Sequence, residues 1–196
     1  MSSRSVIGAL TVLLVLCGAA LGVMLLRQAR VEPVPQQPQA GAAASPLGHF
    51  IALDGKLPAP ALAFRAREGA EKHLADFKGH LLLVNLWATW CAPCVEEMPA
   101  LDRLQAKLGQ RLAILAISQD RRGAAAVDPF LAKTGITHLA VFLDPKSSAI
   151  EAFGVQGLPT SFLISRDGMI LAKLEGAAKW DEAPMLSRLE TYIAAK

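Results

Sequence analysis

The chain has 196 residues, room for one domain of ordinary size, and 53% of them are hydrophobic against only 19% charged, where a soluble domain usually carries about 25%. The formal charge is +3, but Arg4, Arg27 and Arg30 precede residue 31 with no acid beside them, so the 20 basic residues fall to 17 beyond that point and meet 17 acidic ones. That neutral body argues against a nucleic-acid binder, whose folded part concentrates positive charge, and the composition argues against both disorder throughout and a purely cytosolic protein.

The surplus of apolar residues sits at the start. Val6 to Leu26 is a run of 21 residues without a charge, which as a helix spans about 30 Å, the thickness of a bilayer core. The run is longer than the roughly 7–15 residues of a signal peptide's apolar region, and Val23-Met24-Leu25-Leu26 continue it where a cleavage site would stand. It reads as a retained anchor over 6–26, after a flank at 1–5, with Cys17 a small apolar residue inside it. Residues 27–49, rich in Pro, Gln and Ala, read as a tether that holds the remainder, 50–196, off the membrane.

The folded part opens with a short strand in 61–65 and a turn at Gly69. Asp76-Phe77-Lys78-Gly79 reads as a second turn, and Leu81–Trp87 as a central strand apolar on both faces. Pro93 suits the first turn of a helix, and Val95, Met98, Leu101, Leu104 and Leu108 give that helix one apolar side up to Gly109. Pro99 should kink it. Leu112–Ser118 is the next strand and Ala124–Lys133 the next helix, stopped by Gly135. Ala140–Leu143 is a strand and Lys146–Phe153 a short helix. Thr160–Ser165 and Met169–Leu174 flank an Asp-Gly turn and read as an antiparallel hairpin. Glu182–Ala194 closes the chain as a helix with Asp181 at its N-cap. Helices alternating with strands ask for an α/β sheet with helices on both faces.

Trp87-Ala88-Thr89-Trp90-Cys91-Ala92-Pro93-Cys94 carries the chemistry. Cys91 stands at a helix N-terminus, whose free N–H groups and positive field favour a thiolate. Cys94, one turn on and further inside, can close a small ring with it. One exposed attacking thiolate and one resolving thiol are what thiol–disulfide exchange needs. A zinc site would need about four ligands, and this pair supplies two. The four histidines, His49, His73, His80 and His138, form no ligand-spaced pair. A bare structural disulfide over so short a loop would constrain the unfolded chain weakly. Trp87 reads as packed at the strand end, with an N–H in need of a partner. Trp90 reads as a shield for Cys91 and a surface for a protein partner. Asp120-Arg121-Arg122 reads most simply as a solvated loop, with a partner-contact role left open by its place near a sheet edge, and Trp180 and Tyr192 as core or rim residues of the last helix.

Residues 80–99 and 157–165 resemble the thioredoxin superfamily, and within it the membrane-anchored TlpA/ResA/CcmG group, closest to the TlpA branch. Asn85 to Cys94 followed by Glu96-Glu97-Met98-Pro99 carries that likeness, which covers roughly residues 56–194. It implies a thioredoxin-like fold with an N-terminal hairpin and a central helix–strand insertion, the latter over Ala124–Leu143. It implies a periplasmic domain on the bacterial inner membrane that reduces disulfides in exported proteins, in cytochrome c maturation or cytochrome oxidase copper-site assembly. Electrons would come from a membrane thiol donor of the DsbD/CcdA kind, with no cofactor and no metal. Cys91 matches the nucleophile, Cys94 the resolving thiol and Pro159 the family's cis-proline, which would leave the Leu158 backbone free to pair with an extended substrate.

The acids stay open at this level. Thioredoxin has a buried Asp where this chain has Asn85, and an amide takes up no proton at neutral pH. Glu96 and Glu97 are the acids nearest Cys94. Glu97, three residues on, lies on roughly the same side of the helix, where it either meets solvent in the helix field or tunes the resolving thiol. Competing functions are a Cu(I) chaperone or non-catalytic binding module, since two thiolates bind a soft ion, a thiol peroxidase, and a disulfide oxidase or isomerase. The lack of a cation in Ala92-Pro93 points away from a strong oxidant.

Overall fold

The computed structural model describes residues 49–195. The expected flank, the anchor at 6–26 with Cys17, and the tether up to residue 48 lie outside the described residues. Among the described residues no helix is long and apolar enough to cross a membrane.

Among the described residues, eight strands and four α-helices follow one another as β1 (His49–Ala52), β2 (Ala63–Ala66), β3 (Glu71–His73), β4 (Leu82–Trp87), α1 (Ala92–Leu108), β5 (Ala113–Ser118), α2 (Ala124–Thr134), β6 (Ala140–Leu143), α3 (Ser148–Ala152), β7 (Thr160–Ile164), β8 (Ile170–Glu175) and α4 (Ala183–Ala194). The strands form one sheet in the order β1-β8-β7-β4-β5-β6-β2-β3. β4, β5 and β6 run parallel, and α1 and α2 supply the long crossovers that parallel neighbours need. β7 and β8 form the expected antiparallel hairpin, with Gly168 in its turn at φ +89°. β2 and β3 form the N-terminal hairpin and attach through β2 to β6.

β4 is buried along its whole length. Its side chains alternate between the two faces, as the pleat requires. Leu83 and Trp87 pack with Met98, Leu101 and Leu104 of α1, Val127 of α2 and Met185 and Leu189 of α4. Leu82, Val84 and Leu86 pack on the other face with Phe64, Phe142 and Phe162.

Several expectations change. β1 and β3 were not legible: both are short edge strands, and β1 extends over His49, which the sequence reading gave to the tether. The turn before β4 is a 3-10 turn at Leu74–Phe77, where Asp76 Oδ2 accepts from His73 N at 2.8 Å. Pro99 lies inside α1, which continues past it to Leu108. Asp181 does not cap α4. That position belongs to Glu182, which makes no side-chain cap, and Asp181 instead accepts from Arg103 Nε at 2.7 Å. The arginine competes for the carboxylate, and a proline in the first turn of α4 removes one N–H that a cap would serve.

Candidate active site

Four residues, Ala88 to Cys91, turn the chain from the end of β4 into α1. Cys91 is the N-cap, and its Sγ accepts from Cys94 N at 3.3 Å. Pro93 lies in the first turn, where its missing N–H has no partner to lose. Cys91 and Cys94 are joined in a disulfide with an S–S distance of 2.05 Å and Cα atoms 5.3 Å apart. The two sulfurs differ in access: Cys94 is fully buried, whereas Cys91 is 7% exposed. Trp90 beside it is 69% exposed. Trp90, Cys91 and Pro93 line an open cleft of about 390 Å³ with Ile150, Val155 and Leu158.

The loop before β7 forms the facing wall. The Leu158–Pro159 peptide bond is cis. Thr160 Oγ1 donates to Gly157 O at 2.7 Å, and Gly176 N donates to Pro159 O at 3.0 Å. Leu158 therefore reaches the cleft from a loop fastened at both ends. Four of the residues singled out from the sequence, Trp90, Cys91, Pro93 and Leu158, meet in one cleft. The two glutamates separate. Glu96 is exposed on α1, while Glu97 is 4% exposed.

Burial corrects the solvent-facing alternative for Glu97. Its Oε1 accepts from Asn85 Nδ2 at 2.9 Å, and its Oε2 accepts from Ala178 N at 3.0 Å and Trp180 Nε1 at 2.8 Å. Asn85 Nδ2 also donates to Ser161 Oγ, its cross-strand neighbour, at 2.9 Å. Desolvation by burial raises the Glu97 pKa to about 7, against the three hydrogen bonds that favour the carboxylate. Trp180 is thus a core residue, as one of the two expected alternatives had it, and a buried donor that stands ahead of α4. Neither Ser161 nor Trp180 could be tied to the site from sequence, because both reach it only through the sheet order and the packing of the last helix. Asn85 Oδ1 and Trp87 Nε1 are buried with no hydrogen-bond partner among the described residues. The indole of Trp87 packs instead against Phe130, with ring centroids 5.2 Å apart.

The Asp120 loop is the second correction. Asp120 is 4% exposed, while Arg121 and Arg122 are exposed as expected. Its carboxylate accepts from Thr89 N at 2.9 Å, Thr89 Oγ1 at 2.7 Å and Ser118 Oγ at 2.8 Å. It thereby fixes the loop that carries Trp90 and Cys91. The usable signal was topological: a polar residue just past a strand parallel to β4 lies at the same sheet end as the cysteines. Among the described residues no group of three or more His, Cys, Asp or Glu side chains could hold a metal ion.

This geometry has relatives. The redoxin family profile matches residues 54–193. The chain is 35% identical over 119 residues to the thiol-disulfide oxidoreductase ResA of Bacillus thuringiensis subsp. konkukian, covering 60% of this chain and 68% of that one. It is 43% identical over 117 residues to the thiol:disulfide interchange protein CycY of Rhizobium leguminosarum bv. viciae, covering 60% and 61%. Among solved structures, a DsbE-type thiol:disulfide interchange protein from Chlorobium tepidum superposes with a TM-score of 0.65 at 29% identity, over 73% of this chain and all of that one.

Proposed function

The chain belongs to the redoxin family and is a thiol–disulfide oxidoreductase of thioredoxin-like fold, and from that premise we propose that it works as a reductase of exported proteins at the bacterial inner membrane. The observation that carries the reading is the position of Cys91. Its sulfur caps a helix N-terminus, accepts a backbone N–H and opens on a cleft, while Cys94 is sealed behind it. The uncharged run from Val6 to Leu26 supports an anchor, with residues 50–196 in the periplasm. Cytochrome c maturation or oxidase copper-site assembly is the proposed setting, and a membrane thiol donor of the DsbD/CcdA kind the proposed electron source.

In the reduced chain the Cys91 thiolate attacks one sulfur of a substrate disulfide. A mixed disulfide forms, and the other substrate sulfur leaves and takes up a proton. Cys94 then loses its proton and attacks Cys91 Sγ. The Cys91–Cys94 bond forms, the mixed disulfide breaks, and the second substrate sulfur leaves as a thiol. Two electrons pass from the chain to the substrate. Glu97, one helical turn from Cys94 and with a pKa near neutrality, is the proposed acceptor of the Cys94 proton. Leu158 offers backbone to an extended substrate, and Trp90 covers the bond that forms.

Ala92 and Pro93 place no cation between the sulfurs, so the Cys91 thiolate gains only the helix field and its N–H bond. A thiolate stabilised no further makes the reduced form a stronger reductant, with an expected midpoint near thioredoxin's, about −270 mV. Equilibration of the purified chain with dithiothreitol or glutathione, read by alkylation of Cys91, tests this. A midpoint above about −180 mV, the range of an isomerase, would replace the reductase reading.

A further inference from the structure

Beside the cleft the chain presents two arginines on a fixed support. Asp120 O accepts from Gly123 N at 2.8 Å, which closes a turn with Arg121 and Arg122 at its centre. The Asp120 side chain holds Thr89, the residue before Trp90, at 2.7 and 2.9 Å. Gln119 N donates to Trp87 O at 2.8 Å, so the two loops are stitched at a second point. Both arginines are exposed, and neither makes an ion pair or side-chain hydrogen bond among the described residues. Arg65 is likewise exposed with no side-chain partner among the described residues, but the other described arginines are engaged. Arg67, Arg103 and Arg111 each hold a carboxylate, and Arg188 lies over the Phe50 ring at 5.4 Å.

The acids at this end are disposed differently. Asp120 is buried and spent on Thr89 and Ser118, and Asp144 is buried and accepts from Ala149 N at 2.7 Å. Glu96 on α1 and Glu151 on α3 are exposed, but they stand on the helices and not on the β5 side. The exposed charges that directly follow β5 are therefore both cationic. The folded part as a whole is neutral, so this cationic pair is local.

We propose that the Arg121–Arg122 turn is a docking element for a carboxylate-bearing segment that flanks the reducible disulfide of a protein substrate, which it orients over Trp90 and Cys91. This rests on the reductase reading. Two guanidinium groups on a rigid turn suit carboxylates through charge and paired donors. Trp90 gives the apolar contact, and the arginines give steering and register. The support has a purpose in this reading: a turn fastened to the Cys91 loop keeps the distance between cation and sulfur constant.

The test uses the full-length chain in a neutral detergent and two synthetic peptides with the same disulfide loop, one flanked by Asp and Glu, the other by Lys. The ratio of their second-order reduction rates reads the docking, and their absolute rates read the redox chemistry. At about 0.01 M salt the acidic peptide should be reduced at least about tenfold faster. Raising salt to about 0.15 M shortens the screening length from about 30 to about 8 Å and should shrink the ratio in the unaltered chain. The double substitution Arg121→Glu, Arg122→Glu should bring the ratio to one or invert it. No reduction of either peptide would overturn the reductase reading alone. A ratio that is near one in the unaltered chain, or that the double substitution leaves in place, overturns the docking element. Loss of binding to phosphatidylglycerol vesicles in the double variant with the peptide ratio unchanged would assign the turn to a lipid surface and overturn it as well.

Discussion

The two faces of the central sheet are equally dry and chemically unlike. On one, Leu82, Val84 and Leu86 of β4 and Leu115 and Ile117 of β5 pack against Phe64, Phe142 and Phe162. The rings of Phe64 and Phe142 meet edge-on at 5.0 Å. On the other, the same strands contribute Asn85 between Leu83 and Trp87, and α1 lowers Glu97 onto it. The first face is held by area and close packing. The second surrenders part of that to bury a carboxylate, an amide and a hydroxyl, and it leaves Asn85 Oδ1 without a partner. A buried acceptor left unmade costs about 1–3 kcal/mol, so this face is not the one stability would choose. It is the face that lies behind Cys94. The contrast separates residues that hold the fold from residues that set the protonation of the site.

The largest effect should come from breaking the apolar face. Leu115 is 1% exposed on a central strand, and Leu115→Ala should cost about 2–5 kcal/mol from lost transfer energy and the cavity left behind. Urea unfolding of the oxidised protein should show that loss, with the redox midpoint unchanged. A midpoint that moves with it would mean the two faces are coupled.

The next effect belongs to Glu97. Its pKa is about 7 in the folded state against an ordinary value of 4.5. The folded chain therefore holds a proton that the unfolded chain has released between those values. Stability is fully present below about 4.5 and declines as pH rises through about 7. The decline is on the order of 3 kcal/mol by the raised pKa alone. Glu97→Gln cannot ionise, so its stability curve should be flat across that window. Thiol-exchange rates of the reduced protein should also lose a step near neutral pH. A rate profile identical to the unaltered chain's would remove Glu97 from the proton path while leaving its place in the fold intact.

Most of the sheet was legible because its central strands are nearly continuous apolar runs. Leu81–Trp87 and Leu112–Ser118 could hardly be anything else, and Gly109 and Gly135 ended their helices where expected. β1 and β3 were hidden because four and three residues at a sheet edge carry little pattern. Glu71-Lys72-His73 is a strand only because β2 lies beside it. The cysteine pair, Trp90 and Pro159 were readable from local spacing and family likeness. The burial of Glu97 was not, since its donors Trp180 and Ala178 lie more than 80 residues away. Asp120 was misread for the same reason: the adjacent arginines look solvated, and they are, but Thr89 takes the aspartate inward.

A second carboxylate on α1 sharpens the contrast with Glu97 and carries the smallest effect. Asp102 is also largely buried, at 9% exposure, yet its pKa is lowered. Burial pushes it up, as for Glu97, but here the donors win. Thr137 N, His138 N and Leu139 N all reach Oδ1, at 3.1, 2.7 and 2.9 Å, and His138 Nδ1 lies 3.1 Å from Oδ2. Glu97 has three donors against four and is enclosed more completely, so the same residue chemistry on one helix moves in opposite directions. The signs of the linked stabilities are opposite too. Asp102 contributes stability above the ordinary carboxylate value of 3.8, and that contribution is lost as pH falls through its lowered pKa. Asp102→Asn keeps an oxygen for the three backbone donors and removes only the charge and the His138 contact. It should cost about 1 kcal/mol at neutral pH, the worth of one ordinary hydrogen bond, and the difference from the unaltered chain should vanish in acid. Asp102→Ala strands three N–H groups and should cost more. If the Asn variant is as damaged as the Ala variant at neutral pH, and both differences vanish in acid, then the charge and not the acceptor geometry ties α1 to the start of β6.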